Sequence, residues 1–387
     1  MFVLKRFSLS HLSAGFIAVL VGYTSSAAII FQAASAVGAS SAEVGSWLWA
    51  LGIGMGVTCI GLSLAYRTPV LTAWSTPGAA LLVTALAGVP LSDAVGAFLF
   101  SSLLITACGV FGWFDRIMHR VPRSLVGAML AGVLLRFGLD LFASMQTELV
   151  LVVAMFAIYL VGRRTLVRYA IPLTLLGGLL LGSVQGSIRF DAIDIELARP
   201  IFTAPTFSLA TLIGVGLPLF IVTMASQNVP GLAVLRANGY GTPASPLIGW
   251  TGATGLMLAP FGGFAFNLAA ITAAICMSKD ADPDPERRYL ASIWAGVFYL
   301  VTGIFGTTVA GLFTAFPAEL VLALAGLALL GTIGNSLAGA LAHEGEREAA
   351  LIAFLVTASG VTLLGIGSAF WGLMFGLVAA HASRRSG

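Results

Sequence analysis

The sequence predicts an all-α polytopic membrane protein of about 14 transmembrane segments in a 7+7 inverted repeat. Three observations carry that expectation. Of the 387 residues, 58% are hydrophobic and only 9% charged, where a soluble domain carries roughly a quarter charged residues. The apolar runs are rich in Leu, Ala and Gly and lack the alternation of a barrel strand, which leaves helices as the element that satisfies its own backbone in lipid. The basic residues also sort to one side of the segments those runs define.

A full span needs roughly 20 apolar residues. Segments are expected at 11–36, 44–64, 68–87, 92–114, 122–143, 148–162, 169–184, 208–228, 243–259, 260–277, 288–312, 317–338, 347–366 and 368–382. Lys5 and Arg6 precede the first, and Ala34-Ser35-Ala36 has the small residues of a cleavage site. The stretch from Leu12 to Val37 nevertheless exceeds a signal-peptide core of about 7–15 residues, so it reads as a helix. With the N-terminus inside, sixteen of the 19 Lys and Arg residues fall on inside loops. Arg189 and Arg199 fall outside, and Arg136 lies within a segment. That sorting predicts a multi-pass protein of a bacterial cytoplasmic membrane with both termini cytoplasmic.

A polar loop at about 185–207 divides the chain. Two halves of seven spans must have opposite orientations, the geometry of an inverted repeat. Gly15, Gly38, Trp49 and Gly54 recur as Gly216, Gly239, Trp250 and Gly255 at one constant offset. Pro69 then falls opposite Pro260, and Thr76 opposite Asn267.

Segments three and ten are broken. In the third, Val70, Thr72 and Trp74 favour extended chain, and Pro69 pushes its predecessor out of the helical region. Thr76 followed by Pro77 reads as an N-cap with Pro at the first helical position, opening a half-helix through Leu86. In the tenth, a Gly- and Phe-rich stretch from Pro260 meets a second cap candidate, Asn267, before a short Ala-rich helix. Two half-helix N-termini would face each other near the midplane, each with unpaired N–H groups and a positive dipole end, a combination that favours an anion. The candidate binding residues are therefore Ser75, Thr76 and Gly78 in one half and Asn267 and Leu268 in the other. Gln227 and Asn228, costly in lipid at the end of segment eight, join them. Phe264 and Phe266 would share a face of an extended chain and could clasp an aromatic ring, with Trp74 at the comparable place in the other half.

Other groups carry less. Arg136 and Asp140 lie four apart on one helix face and can pair. Asp140 is the first candidate for a coupling proton, with Glu319 and Glu43 next. His11, His119, His343 and His381 sit at membrane–water boundaries without ligand spacing, so no metal and no cofactor is expected. The acidic run Asp280, Asp282, Asp284 and Glu286 reads as a solvated turn, since it lacks the glycine and terminal Glu of a calcium loop. Cys59, Cys108 and Cys276 read as apolar fillers. No acid, base or metal cluster suggests an enzyme, no nucleotide-binding motif suggests a pump, and nucleic acid is not an expected partner.

The strings TAWSTPGAALL and APFGGFAFNLAAITAAICM, with the seven-plus-seven layout, resemble the benzoate/proton symporter family (BenE) over essentially the whole chain. That family is similar in fold to uracil and sulfate permeases. The resemblance implies a core domain (1–120 and 207–314) and a gate domain (121–190 and 315–387). It implies an aromatic carboxylate moved inward with protons, and it leaves room for a homodimer. Uracil permeases carry acidic residues in spans eight and ten, where this chain has the amides Gln227 and Asn267, a departure that suits an anionic substrate. A carrier for another small anion or a nucleobase, or an anion channel, stays open as an alternative.

Overall fold

The computed structural model describes residues 8–113, 122–188, 195–279, 281–363 and 368–383. Within them the first half holds α1 (Leu9–Ala36), α2 (Ser41–Tyr66), strand β1 (Thr72–Trp74), α3 (Thr76–Ala85), α4 (Leu91–Val110), α5 (Arg123–Ala143), α6 (Leu149–Thr165) and α7 (Ala170–Val184). The second half holds α8 (Leu209–Arg236), α9 (Ala244–Leu258), strand β2 (Phe266–Leu268), α10 (Ile271–Cys276), α11 (Tyr289–Ile304), α12 (Gly306–Ala315), α13 (Ala318–Ala340), α14 (Arg347–Ala358) and α15 (Ser368–Ser383).

Six of the described helices are long and apolar enough to cross a membrane: α1, α2, α4, α5 with its continuation to Gln146, α8 and α13. The stretch Pro285–Ile304 and α12 pass the same test together but bend by 68°. The eleventh expected segment is therefore two helices hinged at Phe305 rather than one. Large apolar side chains such as Val57, Leu103, Leu160 and Val378 face outward, as lipid contact requires.

Local chemistry sets the helix ends. Ser8 and His11 form a capping box on α1, and Ser40 and Glu43 form another on α2, each satisfying N–H groups that a helix start leaves free. Gly38 and Gly239 follow α1 and α8 with φ of +76° and +87°, a conformation that favours glycine.

The helices pack in two groups. In the first, α2 lies along α11, α4 along α9, and α1 against α3 and α11. Small residues bring these backbones together: a Cβ on Gly52 would lie 2.4 Å from the Cα of Gly303, and one on Gly109 2.4 Å from the Cα of Gly249. In the second group α5 packs on α13 and α14, α15 on α14, and α6 on α7. The segment before α8 straps the first group, with Ile201 N–H donating to Ser46 Oγ (2.9 Å) and Thr203 N–H to the Pro260 carbonyl (2.8 Å).

The turn before α11 departs from the sequence expectation of a solvated run, of which Asp280 lies outside the described residues. Asp282 is buried and sits 2.7 Å from Nε2 of His11, which is fully buried at the start of α1. Arg287 approaches the carboxylate at 3.7 Å, and Arg288 Nε donates to the Asp282 carbonyl at 2.8 Å. Burial pushes the Asp282 carboxyl up. The Asp284 N–H, His11 and Arg287 outweigh it and hold it below the usual carboxylate range. A group whose folded pKa is depressed contributes stability above its unfolded pKa and loses it as pH falls. Asp282→Asn should accordingly lower the Tm in detergent at pH 7, and the gap to wild type should close as pH falls below about 4. A gap independent of pH would contradict that account.

Candidate functional site

The two broken segments meet as a two-stranded antiparallel sheet, with Thr72 opposite Leu268, Ala73 opposite Asn267 and Trp74 opposite Phe266. Non-helical backbone away from water must find partners inside the protein. Ser75 N–H donates to the Ala265 carbonyl (3.1 Å) and Ala269 N–H to that of Leu71 (2.9 Å). On the outer edge of β1, α2 supplies the partners. Thr72 N–H donates to Cys59 Sγ (3.2 Å), Ser63 Oγ donates to the Val70 carbonyl (3.0 Å), and the Thr58 and Thr72 hydroxyls lie 2.6 Å apart. On the edge of β2, Asn228 Oδ1 accepts the Leu268 N–H at 2.9 Å. Asn228 reaches it from Met224–Asn228, a π-helical turn of α8.

The caps differ from the sequence reading by one residue in α3 and more in α10. Ser75, not Thr76, caps α3: its hydroxyl accepts the Gly78 N–H (3.0 Å), and its carbonyl accepts that of Ala79 (2.7 Å). Thr76 and Pro77 are the first two helical residues. Asn267 does not cap α10. It sits in the middle of β2, fully buried, with Nδ2 donating to the Ala265 carbonyl at 3.0 Å. The strand continues through the residue that the sequence assigns to the cap, because β1 offers it a ladder. α10 then starts after Ala270 with no side-chain cap. Ala274 N–H is the first to donate within it (3.1 Å to the Ala270 carbonyl), so those of Ile271, Thr272 and Ala273 have no intrahelical acceptor.

Beside this sheet lies a cavity of about 1000 Å³ between the two helix groups. Both helix starts reach it, through Thr76 and Pro77 and through Ala270, Ile271 and Thr272. One wall is aromatic. Trp74 and Tyr299 line it, and Tyr23 packs edge-on to Trp74 at 4.8 Å. The Trp74 indole N–H is fixed by Ser26 Oγ at 2.8 Å. Ser25, Ser26 and Gln227 add polar groups on this side. The facing wall belongs to α5, α6, α7 and α13, with Leu130, Tyr159, Arg163, Ala170, Thr332 and Asn335. An apolar hollow with a few convergent polar groups is what a small organic ligand requires.

Of the expected binding residues, Thr76 and Gln227 line this cavity. Ser75, Gly78, Asn228, Asn267 and Leu268 stand behind its wall, where they shape the backbone. Phe264 and Phe266 are also not at its surface. Phe264 packs between Trp47 (5.8 Å) and Phe98 (5.3 Å), and the Phe266 ring lies against Gly54 and Gly255. Ala265 takes a positive φ of 47°, which breaks the regular alternation on which a shared ring-clasping face depended. Asp140, Glu319 and Glu43 lie away from the cavity. Asp140 is 3.8 Å from Arg136 on an exposed face of α5, and Glu43 accepts the Ser40 N–H in its capping box.

Tyr159, Tyr299, Arg163 and Asn335 enter the site without having been singled out in the sequence. Arg163 had a sufficient explanation as an inside-loop charge, and single aromatic residues in an apolar chain carry no signal of which cavity they face.

Fold and cavity together define a polytopic membrane transporter. The chain belongs to the benzoate membrane transport protein family (BenE), whose profile matches residues 5–382. It is 51% identical over 365 residues to the inner membrane protein YdcO of Escherichia coli, covering 94% of this chain and 93% of that one. It is 41% identical over 375 residues to the benzoate membrane transport protein of Acinetobacter baylyi, covering 97% and 95%. Among solved structures, SLC26A9 superposes with a TM-score of 0.60 at 11% identity, over 98% of this chain and 66% of that one. The transmembrane domain of the cyanobacterial bicarbonate transporter BicA gives 0.57 at 14% identity, over 97% and 98%. These two likenesses concern the fold. As a member of that family, the chain is a membrane transporter and not an enzyme.

The wall of the cavity rests on Asn228. Replacing it with Leu leaves the Leu268 N–H buried without an acceptor, a cost of about 1–3 kcal/mol, whereas Ser75→Ala removes a cap worth about 1 kcal/mol. Thermal unfolding of the purified protein should rank them wild type, then S75A, then N228L. An N228L protein as stable as wild type would contradict the assigned role.

Proposed function

We propose that this chain is a secondary carrier that imports benzoate, or a closely similar aromatic carboxylate, together with protons by alternating access. The observation that carries the reading is the cavity, where two helix starts and an aromatic wall converge. A helix start favours a negative group, and Trp74 with Tyr299 offers a ring its faces and edges. A benzoate has both parts. The chain's likeness to the benzoate membrane transport protein of Acinetobacter baylyi supports the same substrate.

In this reading the first helix group is the core domain, carrying the site, and the second is the gate domain. The fourteen spans form a 7+7 inverted repeat across which the two groups rock. The paired glycines support it: Gly38 and Gly239 both close helices with positive φ, and Gly54 and Gly255 meet the same Phe266 ring. With the basic loops inside, the cavity opens inward, beside Arg163 and Val167. The described residues lining it include no carboxylate and no histidine. A proton carried by Asp140 or Glu319 would therefore move outside the substrate cavity, and Glu43 already serves as a helix cap.

Uptake of labelled benzoate into proteoliposomes under an inward proton gradient tests the proposal. Benzoate should accumulate above its external concentration, and a protonophore should abolish that accumulation. Trp74→Leu should raise KM by about three- to tenfold through lost ring contact. Flux of benzoate that saturates but never accumulates would point to a facilitator or channel. Accumulation of a different anion, with no competition from benzoate, would defeat the substrate assignment.

A further inference from the structure

Arg163 is the described basic side chain that lines the cavity, and its surroundings differ from those of an ordinary positively charged loop residue. It lies in the last turn of α6, one turn after Tyr159, and its guanidinium carbon sits 5.8 Å from the centre of the Tyr159 ring. Tyr159 is itself buried and lines the cavity. The ring thus holds the cation along the cavity wall, where a headgroup anchor would extend away from it. On the other side the guanidinium meets α13 at Gly331, where a Cβ would come within 3.3 Å of Nη1. The absence of a side chain there leaves the arginine its place. Thr332 and Asn335 of α13 line the same wall. None of the four ion pairs among the described residues involves Arg163, so no described carboxylate neutralises this guanidinium.

We infer that Arg163 receives the carboxylate of the substrate at the open end of the cavity and sets the preference for an anion over its neutral analogue. The inference rests on the substrate reading proposed above and adds to it a residue from the wall facing the helix starts. A planar guanidinium presents paired donors that match a carboxylate. At the exposed mouth of the cavity salt screens both such a pair and the approach of the anion from solution. Arg164, the next residue, is exposed and does not line the cavity. It supplies the same charge to the loop without the same position, which separates substrate recognition from membrane anchoring.

The test compares binding of benzoate and of benzamide, its neutral isostere, to detergent-purified full-length protein by titration calorimetry. Arg163→Gln should weaken benzoate by about tenfold and leave benzamide within twofold of wild type. Arg163→Lys should lose only part of the benzoate affinity, since the charge stays but the fork does not. Arg164→Gln should bind both compounds as wild type does. Because Arg163 is exposed, all three variants should elute as wild type on size exclusion. Equal losses for benzoate and benzamide in R163Q would overturn the inference, as would unchanged benzoate affinity, or a loss in R164Q matching that in R163Q. A wild-type protein that binds neither compound would defeat the substrate reading, and the inference with it.

Discussion

The pairing of β1 with β2 is the interaction on which the rest of the structure depends. Each strand is three residues long, and both are buried among helices. Apart from the side of β1 that borders the cavity, their amides and carbonyls are shut away from solvent, and an unpaired backbone group in such surroundings is costly. The ladder answers that demand on the inner edges. Side chains of α2 answer it at Val70 and Thr72, and Asn228 answers it at Leu268. Several residues that resemble binding groups are used up in this way. Asn228 is an amide that completes a strand, and Cys59 is a thiol that accepts from one.

Fixing the strands also fixes where the helices after them begin. α3 opens one residue past β1, so its first turn arrives at the cavity with Thr76 foremost. Ser75 has already claimed the Gly78 N–H, and Pro77 has none to give. α10 opens with no cap at all, and its first turn keeps its donors. The two ends are therefore unequal, and the uncapped one keeps more free N–H groups. Trp74, at the end of β1, carries its ring onto the same wall because Ser26 holds the indole N–H. A single constraint on backbone hydrogen bonding thereby sets the polar and aromatic parts of the site together.

Much of this was legible in the sequence, and the remainder was hidden for identifiable reasons. Composition and the Lys/Arg sorting gave the helical membrane class, and Pro69, Pro77 and Pro260 marked the two breaks. The cap at α3 was misplaced by one residue, since Ser75 and Thr76 are both good caps and only the strand register chooses between them. Asn267 looked like a cap because nothing local announces a three-residue strand whose partner lies almost two hundred residues away. Phe264 and Phe266 were read by simple alternation, which the positive φ of Ala265 interrupts. Arg163 was invisible for the opposite reason. The topology rule explained it fully, and only the fold sets it against Gly331 and onto the cavity wall.

Hydrogen exchange of the backbone tests the central claim most directly. Full-length protein in lipid nanodiscs would be followed by mass spectrometry over the peptides that span 70–79 and 264–270. Strand pairing, with the Thr72 and Leu268 amides held on the outer edges, predicts slow exchange at the paired amides of both peptides, although neither peptide begins as helix. In N228L the 264–270 peptide should speed up while α2 stays protected. Rapid exchange of both peptides in the wild-type protein, at the rate of an ordinary loop, would contradict the account.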